Sequence, residues 1–117
     1  MDRLSIEWTQ TAKAALAKLP HKVRRGLLDK ANELKQATDP TTVHKRLAGP
    51  LSGYHRICYS RYRAIYCVDR QKLTGGAVIE SIRILFVAAG VRKEGDKNDV
   101  YRFAQRLIKL GVIKTRN

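Results

Sequence analysis

From Gly53 to Asp69 the chain reads GYHRICYSRYRAIYCVD, two runs of β-branched and aromatic residues broken by Ser60 and Arg61. Few conformations suit such a segment. Side chains alternate across a strand and a two-residue break closes an antiparallel hairpin, so the register follows by counting. Counting sets Tyr59 opposite Tyr62, Cys58 opposite Arg63 and Tyr54 opposite Cys67. One face then carries His55, Ile57, Tyr59, Tyr62, Ala64, Tyr66 and Val68, apolar enough to lie under helices. The other carries Tyr54, Arg56, Cys58, Arg63, Ile65 and Cys67. On that second face Arg56 and Arg63 are diagonal neighbours, about 7 to 8 Å apart at the backbone, and their charges repel. No acid stands among them, which suits a surface that receives an anion. Arginine's planar fork of donors also matches phosphate at two points. A solvated face kept basic for solubility is the plainer alternative, and the hairpin alone does not choose.

The balance of charge in the whole chain leans toward an anionic partner. Its 117 residues, expected to form a single domain over 1–117, hold 24 Lys and Arg against 10 Asp and Glu, a formal net charge of +14. A hydrophobic share of 44% supports a packed core, yet so large an excess opposes compaction unless a polyanion relieves it. Nucleic acid, an acidic protein and an anionic membrane are the candidates. No apolar run approaches the ~20 residues of a spanning helix, and the N-terminus lacks the basic-then-apolar order of a signal peptide. A cytoplasmic location without membrane contact is therefore expected. The two cysteines agree: Cys58 and Cys67 fall several residues out of register, too far apart for a disulfide. They have no His at a metal-binding spacing, so neither a metal site nor a cofactor is expected.

Along the chain the expected order is β-α-α-β-β-β-α, an α+β fold. Leu4, Ile6 and Trp8 alternate with Arg3, Ser5 and Glu7 as in a half-buried strand. Thr9 is placed to cap a helix with Ala12, Ala15, Leu16 and Leu19 on one stripe, and Pro20 closes it or opens the next. A second helix turns Val23, Leu27, Ala31 and Leu34 inward and ends at Thr38, Asp39 and Pro40. The hairpin follows, then a turn around QKLTGG and a β-prone run AVIESIRILFVAA, which together suggest a meander. After GVRKEGDKN, Val100, Phe103, Ala104, Leu107 and Ile108 form a helical stripe that Gly111 is placed to stop.

The segment LAGPLSGYHRICYSRYRAIYCVD, with the later VAAGVRKEGDKNDVYRFAQRL, resembles the RelE/ParE superfamily of toxins from type II toxin–antitoxin pairs, across nearly the whole chain. Its most specific part is L-x-G-x-L-x-G-Y-x-R-I … Y-R-x-I-Y-x-V; the closing G-x-R … D-V-Y is moderately so. The resemblance implies a helical hairpin packed on a curved antiparallel sheet of about four strands, with a C-terminal helix. It also implies neutralisation by a cognate antitoxin, expected to be acidic and to cover Arg56, Arg63 or Arg92 or displace the helix within 95–110. RelE-like members cleave messenger RNA on the ribosome, whereas ParE-like members poison DNA gyrase. Carried over by position, the RelE pattern implies catalytic roles for Arg56, Arg63, Arg92 and Tyr101. A second basic residue is expected near Cys58, where this chain departs from the pattern.

Such a site has a definable task. RNA cleavage by the 2′-OH builds charge on the phosphate oxygens and the departing 5′ oxygen, which preorganised cations stabilise. Arg63 and Arg92 are the candidates for this, Arg56 for orienting the 2′-OH, and Tyr101 for a proton donor or a base-stacking platform. Tyr101 beside Val100 also reads as a half-buried core residue. The general base is left unassigned: alternation turns His55 to the opposite face, and His21 and His44 have no acid or cysteine at useful spacing. Lys13, Lys18, Lys22, Arg24, Arg25, Lys30 and Lys35 read as solvated helix faces. The favoured expectation is a metal-independent, ribosome-dependent endoribonuclease whose partners are the antitoxin, the ribosome and messenger RNA. A ParE-like gyrase inhibitor is the alternative, and an inactive nucleic-acid-binding or antitoxin-titrating domain a third.

Overall fold

The computed structural model describes residues 3–36, 46–74 and 78–116, with side chains described at 4–36, 46–70 and 81–116. The elements run β1 (Arg3–Trp8), α1 (Gln10–Ala17), α2 (His21–Glu33), β2 (His55–Tyr59), β3 (Tyr62–Thr74), β4 (Val78–Val91) and α3 (Val100–Lys109). Short 3₁₀ turns occupy Leu34–Gln36 and Gly49–Leu51. The expected end of the second helix at Thr38–Pro40, His44 and the Gly75–Gly76 turn lie outside the described residues. Gln71–Thr74, expected in a turn, instead continue β3 opposite Val78–Ser81.

The four strands form one sheet in the order β1-β4-β3-β2. The expected antiparallel arrangement holds for β2, β3 and β4, while β1 joins the edge beside β4 in the parallel sense, Arg3 opposite Ser81 through Trp8 opposite Phe86. Local alternation identifies a strand but carries no information about its neighbour, so this pairing was beyond reach of the pattern. The hairpin register is the one counted: His55 faces Tyr66, Cys58 faces Arg63 and Tyr59 faces Tyr62, with Ser60 turning at φ 53°. Both cysteines are free. Between Ile65 and Tyr66 the pairing with β4 slips by one residue, because Ala88 and Phe86 are the partners and Val87 is bulged out.

Helices cover both faces of the sheet. On one, Leu16, Val23, Leu27, Ala31 and Leu34 pack onto Ile57, Ala64, Tyr66, Ile84, Phe86 and Ala89. Thr9 caps α1 by accepting from the Ala12 amide at 3.1 Å, while Pro20 occupies the cap position of α2. Gly26, inside α2, is explained by the hairpin: a Cβ there would stand 2.2 Å from the Tyr59 ring. Gly26→Ala is therefore expected to lower stability by about 1–3 kcal/mol through overpacking, outweighing the ~1 kcal/mol gain in helix propensity. A thermal midpoint equal to or above the parent's would show instead that the ring swings aside freely.

The second face corrects the sequence reading. It is not an open arginine face along its length, because α3 and the tail behind it bury Tyr54, Ile65 and Cys67 with Val87, Ala88, Val100, Ala104, Leu107 and Ile113. Gly111, at φ 75°, ends α3 as expected, with the Gly111 and Val112 amides donating to the Ile108 and Leu107 carbonyls. The tail then runs back across the sheet. The Tyr54 hydroxyl donates to the Lys114 carbonyl at 2.5 Å, and Arg116 pairs with Asp69, which Arg83 also holds at 2.9 Å. Gly53, at φ 91°, admits the tail: a Cβ on it would meet the Arg116 carbonyl oxygen. Arg56 and Arg63 keep the corner of this face beyond α3's first turn.

Candidate active site

At that corner five chain segments converge on a cavity of about 300 Å³, lined by Arg46, Leu47, Ala48, Arg56, Arg63, Arg92 and Tyr101. Strand β2 supplies Arg56 and β3 supplies Arg63, on one face because alternation and the two-residue turn leave no other arrangement. Arg92 follows the last residue of β4, and its amide donates to the Arg61 carbonyl at 2.7 Å, tying the end of that strand to the hairpin turn. Tyr101 stands in the first turn of α3. All four residues singled out from the sequence are thus brought together, and the structure adds Arg46 from the segment leading into β2. Arg46 carries no periodic or motif signal; it is placed by a backbone bridge to His55.

The four guanidiniums are not equivalent. Arg92 donates to the Asp99 carboxylate at 2.7 Å and lies over the Tyr101 ring, 4.3 Å from its centroid. Asp99 is the buried N-cap of α3, accepting also from the Lys93 amide at 2.6 Å and the Tyr101 amide at 3.1 Å. Burial alone would raise its pKa; the hydrogen bond from Arg92 and those from the two amides outweigh this and hold the carboxyl below its usual range. The same bond pushes the Arg92 pKa up. Asp99 was missed in the sequence, although an Asp placed just before the apolar stripe beginning at Val100 is a favoured cap.

Arg46, Arg56 and Arg63 have no carboxylate partner among the described residues. Arg63 donates through one Nη to the Ser60 and Tyr62 carbonyls, both at 2.9 Å, while its Nε is buried without an acceptor among the described residues. An unmet buried donor costs roughly 1–3 kcal/mol. Arg56 donates to the Cys58 Sγ, so the thiol standing where a basic residue is expected supports its neighbour without adding charge. His55 is buried on the far side of the sheet, stacked on Tyr66 at 5.4 Å, and does not line the cavity. Among the described residues the lining therefore offers guanidiniums to stabilise negative charge, one phenol, and neither imidazole nor carboxylate.

Elsewhere, Cys67 is buried beneath the tail, and burial pushes its thiol pKa up. Among the described residues no cluster of three or more His, Cys, Asp and Glu is arranged to hold a metal ion, and no helix is long and apolar enough to cross a membrane.

No family model matches the chain, and no curated protein does. Among solved structures it is similar to a chain of the RelBE2 toxin–antitoxin complex from Mycobacterium tuberculosis. The two are 26% identical over 72% of this chain and 91% of that one, at a TM-score of 0.49.

Proposed function

We propose that the chain is a RelE-like toxin, a ribosome-dependent endoribonuclease that cleaves messenger RNA without a metal ion and is neutralised by an acidic antitoxin. The observation that carries this reading is the convergence of Arg46, Arg56, Arg63, Arg92 and Tyr101 on one cavity. In the reaction the 2′-hydroxyl gives up its proton to solvent water as its oxygen attacks the adjacent phosphorus, the bond to the 5′ oxygen breaks, and a 2′,3′-cyclic phosphate and a 5′-hydroxyl result. Charge on the nonbridging oxygens is met by guanidiniums already in place, the kind of stabilisation worth ~3 kcal/mol or more per donor. Arg63, which lines the cavity without a carboxylate partner among the described residues, is the principal donor; Arg56 and Arg46 hold the flanking backbone, and Tyr101 protonates the leaving oxygen. Arginine cannot supply that proton, since guanidinium does not deprotonate in proteins.

Tyr101→Phe tests the last assignment. Its expected result is a fall in single-turnover cleavage of about 10²-fold or more, in the range of a lost general acid, with ribosome affinity unchanged. Retained activity would reassign the ring to base stacking. The reading as a whole is tested by cleavage of a messenger RNA on programmed ribosomes beside a gyrase supercoiling assay with the same preparation. Cut message with normal supercoiling is expected; inhibited supercoiling with intact message would overturn the nuclease reading. Antitoxin affinity is expected to fall as salt is raised, as at any strongly charged interface.

A further inference from the structure

We infer that Asp99 is a positioning residue for the cavity: one buried carboxylate sets both Arg92 and Tyr101 relative to Arg63. The inference rests on the nuclease reading and adds to it a residue that does not itself line the cavity.

The geometry leaves Asp99 little other work. Its Oδ2 accepts from the Arg92 Nη at 2.7 Å and from the Tyr101 amide at 3.1 Å, while its Oδ1 accepts from the Lys93 amide at 2.6 Å. A side chain that only capped α3 would use the amides alone. Here the same oxygen that receives the Tyr101 amide also receives the guanidinium, and that guanidinium lies over the Tyr101 ring. Three relations thus close a triangle: carboxylate to Arg92, carboxylate to the backbone of Tyr101, and Arg92 to the face of Tyr101. The side chain of Asp99 is 2% exposed, so water does not compete for these bonds. With one Nη committed to Asp99, the remaining donors of Arg92 are fixed in direction, as an arginine planar fork permits and a lysine would not. The segment Arg92–Asp99 is a loop between β4 and α3, whose flexibility would otherwise leave both side chains loosely placed. Asp99 fastens its two ends to each other.

The test is Asp99→Asn, which keeps an oxygen able to accept from the amides but removes the charge that holds Arg92. Cleavage at saturating ribosomes is expected to fall about 10²-fold, the scale of a misplacement near 1 Å. The ribosome concentration giving half the maximal rate should stay within about twofold, because uniform binding is untouched. In the background of Arg92→Ala, the same substitution is expected to cost little more, since coupled residues are not additive. All rates are taken well below the thermal midpoint of each variant. A folded Asp99→Asn variant that cleaves at the parent rate would overturn the inference, as would fully additive losses, which indicate a purely structural cap.

A measurement on the free protein separates this from the nuclease reading and does not depend on the variant folding. In side-chain NMR of the parent, rotation about the Arg92 guanidinium bonds should be slower than at Arg56. In Asp99→Asn it should become as fast. Freely rotating Arg92 in the parent would overturn the inference even if messenger RNA is cut. Slow rotation in a protein that leaves messenger RNA intact would overturn the nuclease reading, and with it the positioning of Arg92 and Tyr101 for cleavage, while leaving the anchor itself in place.

Discussion

Arg63→Ala is expected to slow single-turnover messenger RNA cleavage by about 10²-fold or more, the loss found when one preorganised transition-state donor is removed. Its stability should hardly change. The side chain donates to the Ser60 and Tyr62 carbonyls of its own hairpin turn, bonds worth ~0.5–1.5 kcal/mol net. Against this, truncation relieves repulsion with Arg56 on the same face and removes a buried Nε that lacks an acceptor among the described residues. The two effects oppose each other, so a shift in midpoint of only a few degrees is expected. Arg63→Lys should recover little activity, because the ammonium keeps the charge but not the fork. A loss of many degrees in either variant would show Arg63 to be a structural residue with a carboxylate partner. Glu80 is not that partner, because it stands opposite Lys72 while Arg63 stands opposite Gly90, ten residues further along β4.

Arg92→Ala should behave differently, although the two arginines line the same cavity. Removing Arg92 leaves the buried carboxylate of Asp99 without its counter-charge, and breaking a buried pair in this way costs about 3–5 kcal/mol. In a domain of this size the midpoint is expected to fall by on the order of ten degrees or more. The pH dependence has a defined sign. The Asp99 carboxyl sits below its ordinary pKa: burial pushes it up, but Arg92 and two amides pull it further down. Its stabilisation is therefore fully present above the unfolded carboxylate value and is lost as pH falls through the lower folded one. Without Arg92 the upward push of burial is opposed by the amides alone, so acid unfolding of Arg92→Ala should begin at a higher pH than in the parent. Acid titrations of the two proteins followed by circular dichroism check this. Coincident acid limbs would mean that the pair contributes nothing to stability.

The contrast between these arginines marks the boundary of what the chain discloses by pattern. The hairpin was legible to the residue because a two-residue turn and a period of two leave a single register. That register alone placed Arg56 and Arg63 together and His55 on the other side. The stripes of α2 and α3 were legible for the same reason, since a 3.6-residue period names its own buried face. Neighbourhood between distant segments was not legible. Nothing local to Leu4, Ile6 and Trp8 says that β1 runs parallel to β4. Nothing local to Tyr54, Ile65 and Cys67 says that α3 lies over them. Arg46 enters the cavity through a segment without period, and the dual role of Arg92 depends on an acid seven residues away across a loop. The family resemblance supplied Arg92 and Tyr101, which no periodicity could have joined to the hairpin.

The bulge at Val87 acts as a change of phase halfway along β4. Before it, even-numbered positions such as Ile84 and Phe86 point to the helical hairpin; beyond it, the odd-numbered Ala89 does. The strand thus keeps Ala88 opposite Ile65 and Ala89 opposite Ala64, and it delivers the residue after Val91 to the cavity only because one residue is left uncounted. Were Val87 to take the place opposite Ile65 in an uninterrupted ladder, the Ala88–Val91 stretch would slip by one residue and turn over. Arg92 would then be carried out of step with Arg61, whose carbonyl now receives its amide. For this strand, chain length between the sheet's centre and its rim is as much a determinant of the site as the identity of any side chain in it.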